Sequence, residues 1–206
     1  MINGMNKAQR IGVLGGTFDP PHMAHLNIAL EARDQLNLDR VFWTVTPEPP
    51  HKRSIVAASL EDRVAMVSLM IAPHPFFSLC TVDVERPGPY YAADTLKIIA
   101  DQNKGAELVY IIGSDLLSSF ASWVRVNDLL STCSQIGIVS REGGNYNISA
   151  VLDSFPEEAP KFREISIPVS NLSSREIREK TKSGASIQKM VAASVSKYIQ
   201  EHHLYK

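Results

Sequence analysis

The sequence predicts an α/β fold: a Rossmann-like, doubly wound parallel sheet of five to six strands flanked by helices, with a small helical appendage over roughly residues 170–206. Three observations predict it. Short apolar and β-branched runs, such as Ile11–Leu14 and Val41–Pro47, are separated by longer stretches of helical apolar recurrence, so strands and helices alternate. The opening strand, helix and strand succeed one another within ~35 residues, which makes a βαβ unit and implies a parallel sheet with a right-handed crossover. Glu107–Ile112 (ELVYII) is a continuous apolar run, suited to a strand covered on both faces.

Composition narrows the class. The 206 residues suffice for one substantial core, and 1–206 reads as a single domain. No run reaches the ~18 apolar residues of a membrane span. A formal net charge of −1, from 21 basic and 22 acidic residues, argues against a general nucleic-acid or membrane-surface binder, which carries a strong basic excess. The stretch MINGMNKAQR lacks the apolar core of a signal peptide. Cys80 and Cys133 are too few and too far apart for a disulfide framework or a zinc site, and read as small buried hydrophobes. A reducing cytoplasm is the expected compartment. Oligomeric state stays open, a homo-oligomer included.

The chain is organised around Ile11–Leu26, IGVLGGTFDPPHMAHL. Ile11, Val13 and Leu14 make the first strand, and Gly15 and Gly16 allow a ligand close to the backbone. Thr17 to Pro21 is a turn, since proline fixes φ and has no N–H. A helix is expected from Met23 to Leu38, with His22 and His25 on one face at its mouth. Strand, glycine turn and helix N-terminus together suggest an anion site built from free N–H groups, the positive dipole end and two imidazoles. The glycine spacing fails the dinucleotide fingerprint, because no third glycine opens the helix.

The second strand, Val41–Pro47, leads into Pro47–Arg53, a proline-stiffened loop ending in His51, Lys52 and Arg53. It reads either as a solvated surface loop or as a phosphate-binding one. Leu60–Ala72 is an amphipathic helix stopped by Pro73, and Phe76–Val84 a third strand. A loop over Glu85–Tyr91 precedes a helix over Ala92–Gln102. After the Glu107–Ile112 strand, Gly113-Ser114-Asp115 ends the run and Leu116 opens a helix. Asp115 suits either a ribose hydroxyl or a helix N-cap. Trp123 follows, a core residue or a face for a flat heterocycle. A helix over Val126–Cys133, a strand over Ile136–Val139, a short helix over Ser149–Phe155 and a last strand over Glu164–Pro168 complete the layer. Ser173 or Ser174 caps the next helix, with Glu176 at capping-box spacing from Ser173. Arg178 stands one turn in, and serine hydroxyls with a guanidinium suit a triphosphate tail. The final helix is expected over Ile187–His203.

Taken whole, GGTFDPPHMAHL resembles the signature of the nucleotidylyltransferase superfamily, whose core is (H/T)xGH, and within it the bacterial nicotinate-nucleotide adenylyltransferases. Ala24 stands where that family has a glycine. The resemblance continues at Pro49–Lys52 (the family's PPH(K/R)), at Tyr91, Asp94 and Thr95 (its YTxxTL run, with Ala92 for the first threonine), at Gly113–Asp115 (GxD) and at LSSREIR over 172–178 (for (I/L)SSTxIR, with Arg175 for threonine). It implies adenylyl transfer from ATP to nicotinate mononucleotide in NAD biosynthesis, giving nicotinate adenine dinucleotide and pyrophosphate.

On that resemblance His22, His25, Lys52 and Arg178 are catalytic. ATP is met by Gly15, Gly16, Thr17, Phe18 and His25, by Gly113 and Asp115, and by Ser173, Ser174 and Arg178. The pyridine nucleotide is met by Gly16, Lys52, Tyr91, Ala92, Thr95 and Trp123. Mg²⁺ is expected through the ATP phosphates, with no metal ligand from the chain. Neither cysteine has a basic neighbour in sequence and no serine elbow exists, so direct in-line attack is the expected mechanism. The rivals are a pantetheine-phosphate or cytidylyl transferase of the same superfamily, a non-catalytic nucleotide-binding module, and a redox dehydrogenase.

Overall fold

The computed structural model describes residues 7–48, 56–141, 147–168 and 172–206. Lys52, with His51 and Arg53, lies outside the described residues.

Six strands form one parallel sheet in the order β3-β2-β1-β4-β5-β6. They are β1 (Arg10–Gly16), β2 (Arg40–Val45), β3 (Phe77–Cys80), β4 (Glu107–Gly113), β5 (Gln135–Arg141) and β6 (Phe162–Ile167). The helices are α1 (Met23–Gln35), α2 (Leu60–Ile71), α3 (Ala92–Gln102), α4 (Leu117–Phe120), α5 (Val126–Thr132), α6 (Ser149–Ser154), α7 (Ser174–Lys182) and α8 (Ala193–Glu201). Each strand sends alternate side chains to opposite faces. In β4, Val109 and Ile111 join Trp43 and the helices α1, α2, α7 and α8 in one core. Leu108 and Ile112 join Ile11, Val13 and the helices α3 to α6 in the other. The continuous apolar run thus serves two cores, as a doubly covered strand must. None of the helices among the described residues is long and apolar enough to cross a membrane.

Among the boundaries that differ from the sequence expectation, four have a local reason. Helix α1 stops at Gln35 because Asn37 takes a left-handed conformation (φ 51°), and Leu38 N–H closes on the Arg33 carbonyl at 2.9 Å, a Schellman-type end. Strand β3 ends at Cys80 because the N–H groups of Val84 and Glu85 turn back onto the Thr81 carbonyl. The helix expected from Leu116 begins as a 3₁₀ turn over Ser114–Leu116. The final helix is only Ala193–Glu201: Lys189 has φ 68° and Gln188 bridges Val191, so the chain before it is a turn. That turn lends its Met190 carbonyl to Met23 N–H at 2.9 Å, which binds the C-terminal appendage to the mouth of α1.

Candidate active site

Strand order reverses between β1 and β4, and in such sheets ligands bind beyond the carboxyl ends of the strands at that switch point. The described residues nominated from sequence all follow carboxyl ends: the β1–α1 turn, the β3–α3 loop, the segment after β4 and the start of α7. Topology therefore collects them at one end of the sheet.

The β1–α1 turn carries the imidazoles. A Cβ on Gly16 would come within 2.8 Å of the Phe18 ring, so this backbone admits only glycine while Phe18 lies over it. Phe18 adopts φ 50° and sets its ring edge-on to His25, with centroids 5.0 Å apart. His22, buried at the N-cap of α1, stacks on His25 at 3.7 Å and 20°. The backbone N–H of His22 donates to His25 Nδ1 at 3.2 Å. With Nδ1 accepting, neutral His25 carries its proton on Nε2 and is a donor along its far edge. Burial, followed by the neighbouring His22, holds the His25 pKa well below the ordinary histidine value. His25 is thus a neutral hydrogen-bond donor at physiological pH.

One expectation about this turn is corrected. Three of the N–H groups read as free are engaged: His22 on His25 Nδ1, Met23 on the Met190 carbonyl, His25 on the His22 carbonyl at 2.9 Å. The His25 Nε2–H remains as a donor beside them.

Helix α7 meets this turn directly. Ser173 is its N-cap, accepting from Glu176 N–H at 3.2 Å. Ser174 Oγ donates to the Pro20 carbonyl at 2.8 Å, and Arg178 donates to the Asp19 carbonyl at 2.8 Å. Residues over 150 positions apart in sequence therefore share one wall. The Ser174 proton, expected to face a ligand, is spent on Pro20 instead.

Two buried charges hold this wall, and sequence reasoning passed over both. Asp19, 3% exposed, accepts from Ala57 N–H (2.8 Å), Ala58 N–H (3.1 Å) and the Tyr205 hydroxyl (2.8 Å). Arg63 of α2, 2% exposed, donates to the carbonyls of Thr17, Thr46 and Pro47, each at 2.8 Å. Its guanidinium ties the ends of β1 and β2 together. The available signal was its position: Arg63, Met66, Val67 and Met70 occupy one buried helix stripe, where an unpaired arginine is too costly to tolerate.

At the other lobe, Tyr91 is the N-cap of α3, and Ala92 and Thr95 stand in its first turn. Thr95 is corrected: its side chain is buried and its hydroxyl donates to Asp83 at 2.9 Å, within a network completed by Arg86. It fixes the 81–91 loop rather than offering a hydroxyl outward. Asp94 pairs with Arg125, the left-handed N-cap of α5. Trp123 is half-buried against Phe120 at 5.3 Å and Tyr110 at 6.4 Å. Asp115 is exposed, in the 3₁₀ turn that follows Gly113 at the end of β4.

A family model described as cytidylyltransferase-like matches residues 13–180. The chain belongs to that family. It is 38% identical over 197 residues to a probable nicotinate-nucleotide adenylyltransferase of Herpetosiphon aurantiacus, covering 96% of this chain and 98% of the relative. The corresponding protein of Salinibacter ruber is 36% identical over 196 residues, covering 95% and 97%. Among solved structures, Plasmodium falciparum nicotinic acid mononucleotide adenylyltransferase complexed with NaAD superposes with a TM-score of 0.75 at 22% identity, covering 96% of this chain and 97% of that one. That likeness establishes the shared fold. The sequence relatives place the chain among the nicotinate-nucleotide adenylyltransferases of the family.

Two outcomes follow from this geometry. Replacing Arg63 by methionine strands three carbonyls and leaves Asp19 without its buried counter-charge, so urea unfolding should report a loss of at least about 3 kcal/mol; a loss below about 1 kcal/mol contradicts the clamp. For His25 the folded pKa lies below the unfolded one, so below about pH 6.5 the unfolded chain binds a proton that the folded chain does not, and stability falls as pH falls. His25→Asn, which keeps an acceptor for His22 N–H, should remove that component, up to about 1.4 kcal/mol per pH unit. Identical slopes of unfolding free energy against pH in the two proteins would refute a folded-state His25 pKa held below its ordinary value.

Proposed function

We infer that this chain transfers the adenylyl group of ATP to nicotinate mononucleotide, releasing pyrophosphate and giving nicotinate adenine dinucleotide for NAD biosynthesis. The observation that carries the reading is the shared wall: the turn bearing His22 and His25 is hydrogen-bonded to the helix bearing Arg178 through Pro20 and Asp19. A triphosphate lying along it is within reach of both, and relatives named for this activity over nearly the whole chain support it.

The proposed chemistry is direct displacement. An oxygen of the mononucleotide phosphate attacks the α-phosphorus in line, and the bond from that phosphorus to the bridging oxygen breaks, its electron pair leaving with pyrophosphate. We assign His25 Nε2–H to a non-bridging α-phosphate oxygen, with His22 beside it. Because His25 is neutral, its contribution is an oriented N–H that strengthens as charge develops, rather than a resident positive charge. Arg178 is assigned to the departing phosphates, with Ser173 at the cap; Ser174 acts by holding the wall together. Gly15, Gly16, Thr17 and Phe18 supply the surface over which the nucleotide passes, and Gly113 and Asp115 the ribose contact. Tyr91, the Ala92 backbone and Trp123 are assigned to the pyridine nucleotide, with Thr95 setting their loop from inside. Lys52 is assigned to the phosphates as a further positive charge.

Mg²⁺ is proposed to arrive on the triphosphate. Asp19, the buried carboxylate of the turn, already accepts three protein donors, and imidazoles are poor ligands for so hard a cation. When bound, the ion neutralises charge on the departing pyrophosphate. The unpaired Cys80 and Cys133 suit a reducing cytoplasm.

Purified protein with ATP, Mg²⁺ and nicotinate mononucleotide should release pyrophosphate stoichiometrically with dinucleotide. His25→Ala should lower kcat by about 10²–10³-fold, the usual cost of one oriented donor to a developing oxyanion. Full turnover in that variant would rule out the histidine's role; no pyrophosphate from the unaltered protein would rule out the reaction.

A further inference from the structure

After α8 the chain makes a turn that is expensive in backbone terms. His203 has φ 52° and Tyr205 φ 62°, and a bulky aromatic in the left-handed region is disfavoured unless its surroundings hold it there. Its surroundings do hold it. Leu204 N–H closes on the Ile199 carbonyl at 3.0 Å, and Leu204 and Tyr205 pack against the core shared by α1 and α2. The Tyr205 hydroxyl then donates to Asp19 Oδ1 at 2.8 Å. Burial, with the Asp19 charge behind it, pushes the Tyr205 pKa up, so the phenol remains a donor throughout the working range.

The consequence concerns Arg178. Its Nη1 donates to the Asp19 backbone carbonyl at 2.8 Å but stands 3.7 Å from Asp19 Oδ2, well beyond the ~2.7–2.9 Å of a charge-assisted bond. The carboxylate is already served by Ala57 N–H, Ala58 N–H and Tyr205. An arginine held by a backbone carbonyl, and not directly hydrogen-bonded to the neighbouring carboxylate, keeps most of its five donors for a ligand.

We propose that Tyr205 is a positioning residue for ATP: its hydroxyl, with Ala58 N–H, anchors Asp19 Oδ1 and so holds the carboxylate with Oδ2 at 3.7 Å from Arg178 Nη1, which keeps the guanidinium from closing into a direct hydrogen bond with it. The triphosphate then meets an arginine already anchored at one nitrogen and open at the rest. This rests on the adenylyl-transfer reading for the identity of the nucleotide and adds a residue outside both sequence motifs.

The test is Tyr205→Phe in the full chain, read by calorimetric binding of α,β-methylene ATP and by steady-state kinetics. Affinity for the analogue should fall, and KM for ATP rise, about tenfold, the scale of one hydrogen bond to a charged group. KM for nicotinate mononucleotide should stay unchanged, while the loss of a buried donor to Asp19 lowers the thermal midpoint by a few degrees. In an Arg178→Gln background the same tyrosine change should cost no further affinity, because the two act as one unit. Unchanged analogue affinity, an equal loss in the Arg178→Gln background, or parallel losses for both substrates would each overturn the proposal. Binding is read without the second substrate. A protein that binds the analogue but makes no dinucleotide therefore refutes the reaction and still decides the role of Tyr205.

Discussion

The structure depends on two opposite charges taken out of water at the carboxyl ends of β1 and β2. A buried carboxylate and a buried guanidinium are each tolerable only when their hydrogen-bonding capacity is met by protein. Asp19 therefore draws in the backbone at Ala57 and Ala58, and Arg63 draws in the carbonyls of Thr17, Thr46 and Pro47. Burial lowers the Arg63 pKa and the Asp19 charge opposes that shift. The outcome is mechanical: the turn after the first strand and the loop after the second cannot move independently.

That rigidity reaches the imidazoles. A turn fixed by Asp19 and capped by Phe18 over Gly16 leaves little freedom for the backbone entering α1, and His22 N–H is delivered onto His25 Nδ1. One hydrogen bond thereby selects a tautomer, and the tautomer decides which edge of the ring can donate. The same turn offers its Asp19 and Pro20 carbonyls to Arg178 and Ser174 of α7. Backbone carbonyls are suited to this, since they orient a guanidinium without neutralising it. The late helix is thus positioned by the early turn.

Much of this was legible in the sequence because its causes are local. Alternating apolar runs and helical stretches fix the layers, and a continuous apolar β4 marks a strand buried on both faces. The candidate histidines were visible from a strand, two glycines and a proline turn within sixteen residues. What stayed hidden are contacts made across the chain. Asp19 reads as a turn residue until Ala57, Tyr205 and Arg178 arrive beside it, and Ser174 reads as a ligand hydroxyl until Pro20 takes its proton. Thr95 looks outward on a helix first turn until the buried Asp83 claims it. The final helix was over-read for a related reason: Ile187, Met190 and Val191 are buried and mimic helical recurrence, while a turn answers the need of Met23 N–H for an acceptor.

The histidine turn and α7 share one wall, which we read as one surface for one nucleotide. The most direct measurement is a crystal structure of the protein with α,β-methylene ATP. An α-phosphate oxygen should lie within about 3.2 Å of His25 Nε2 while the terminal phosphates of the same molecule contact Arg178. An analogue seated in the crevice beyond β1 and β4 but touching only one of the two groups, or seated elsewhere on the molecule, would contradict it.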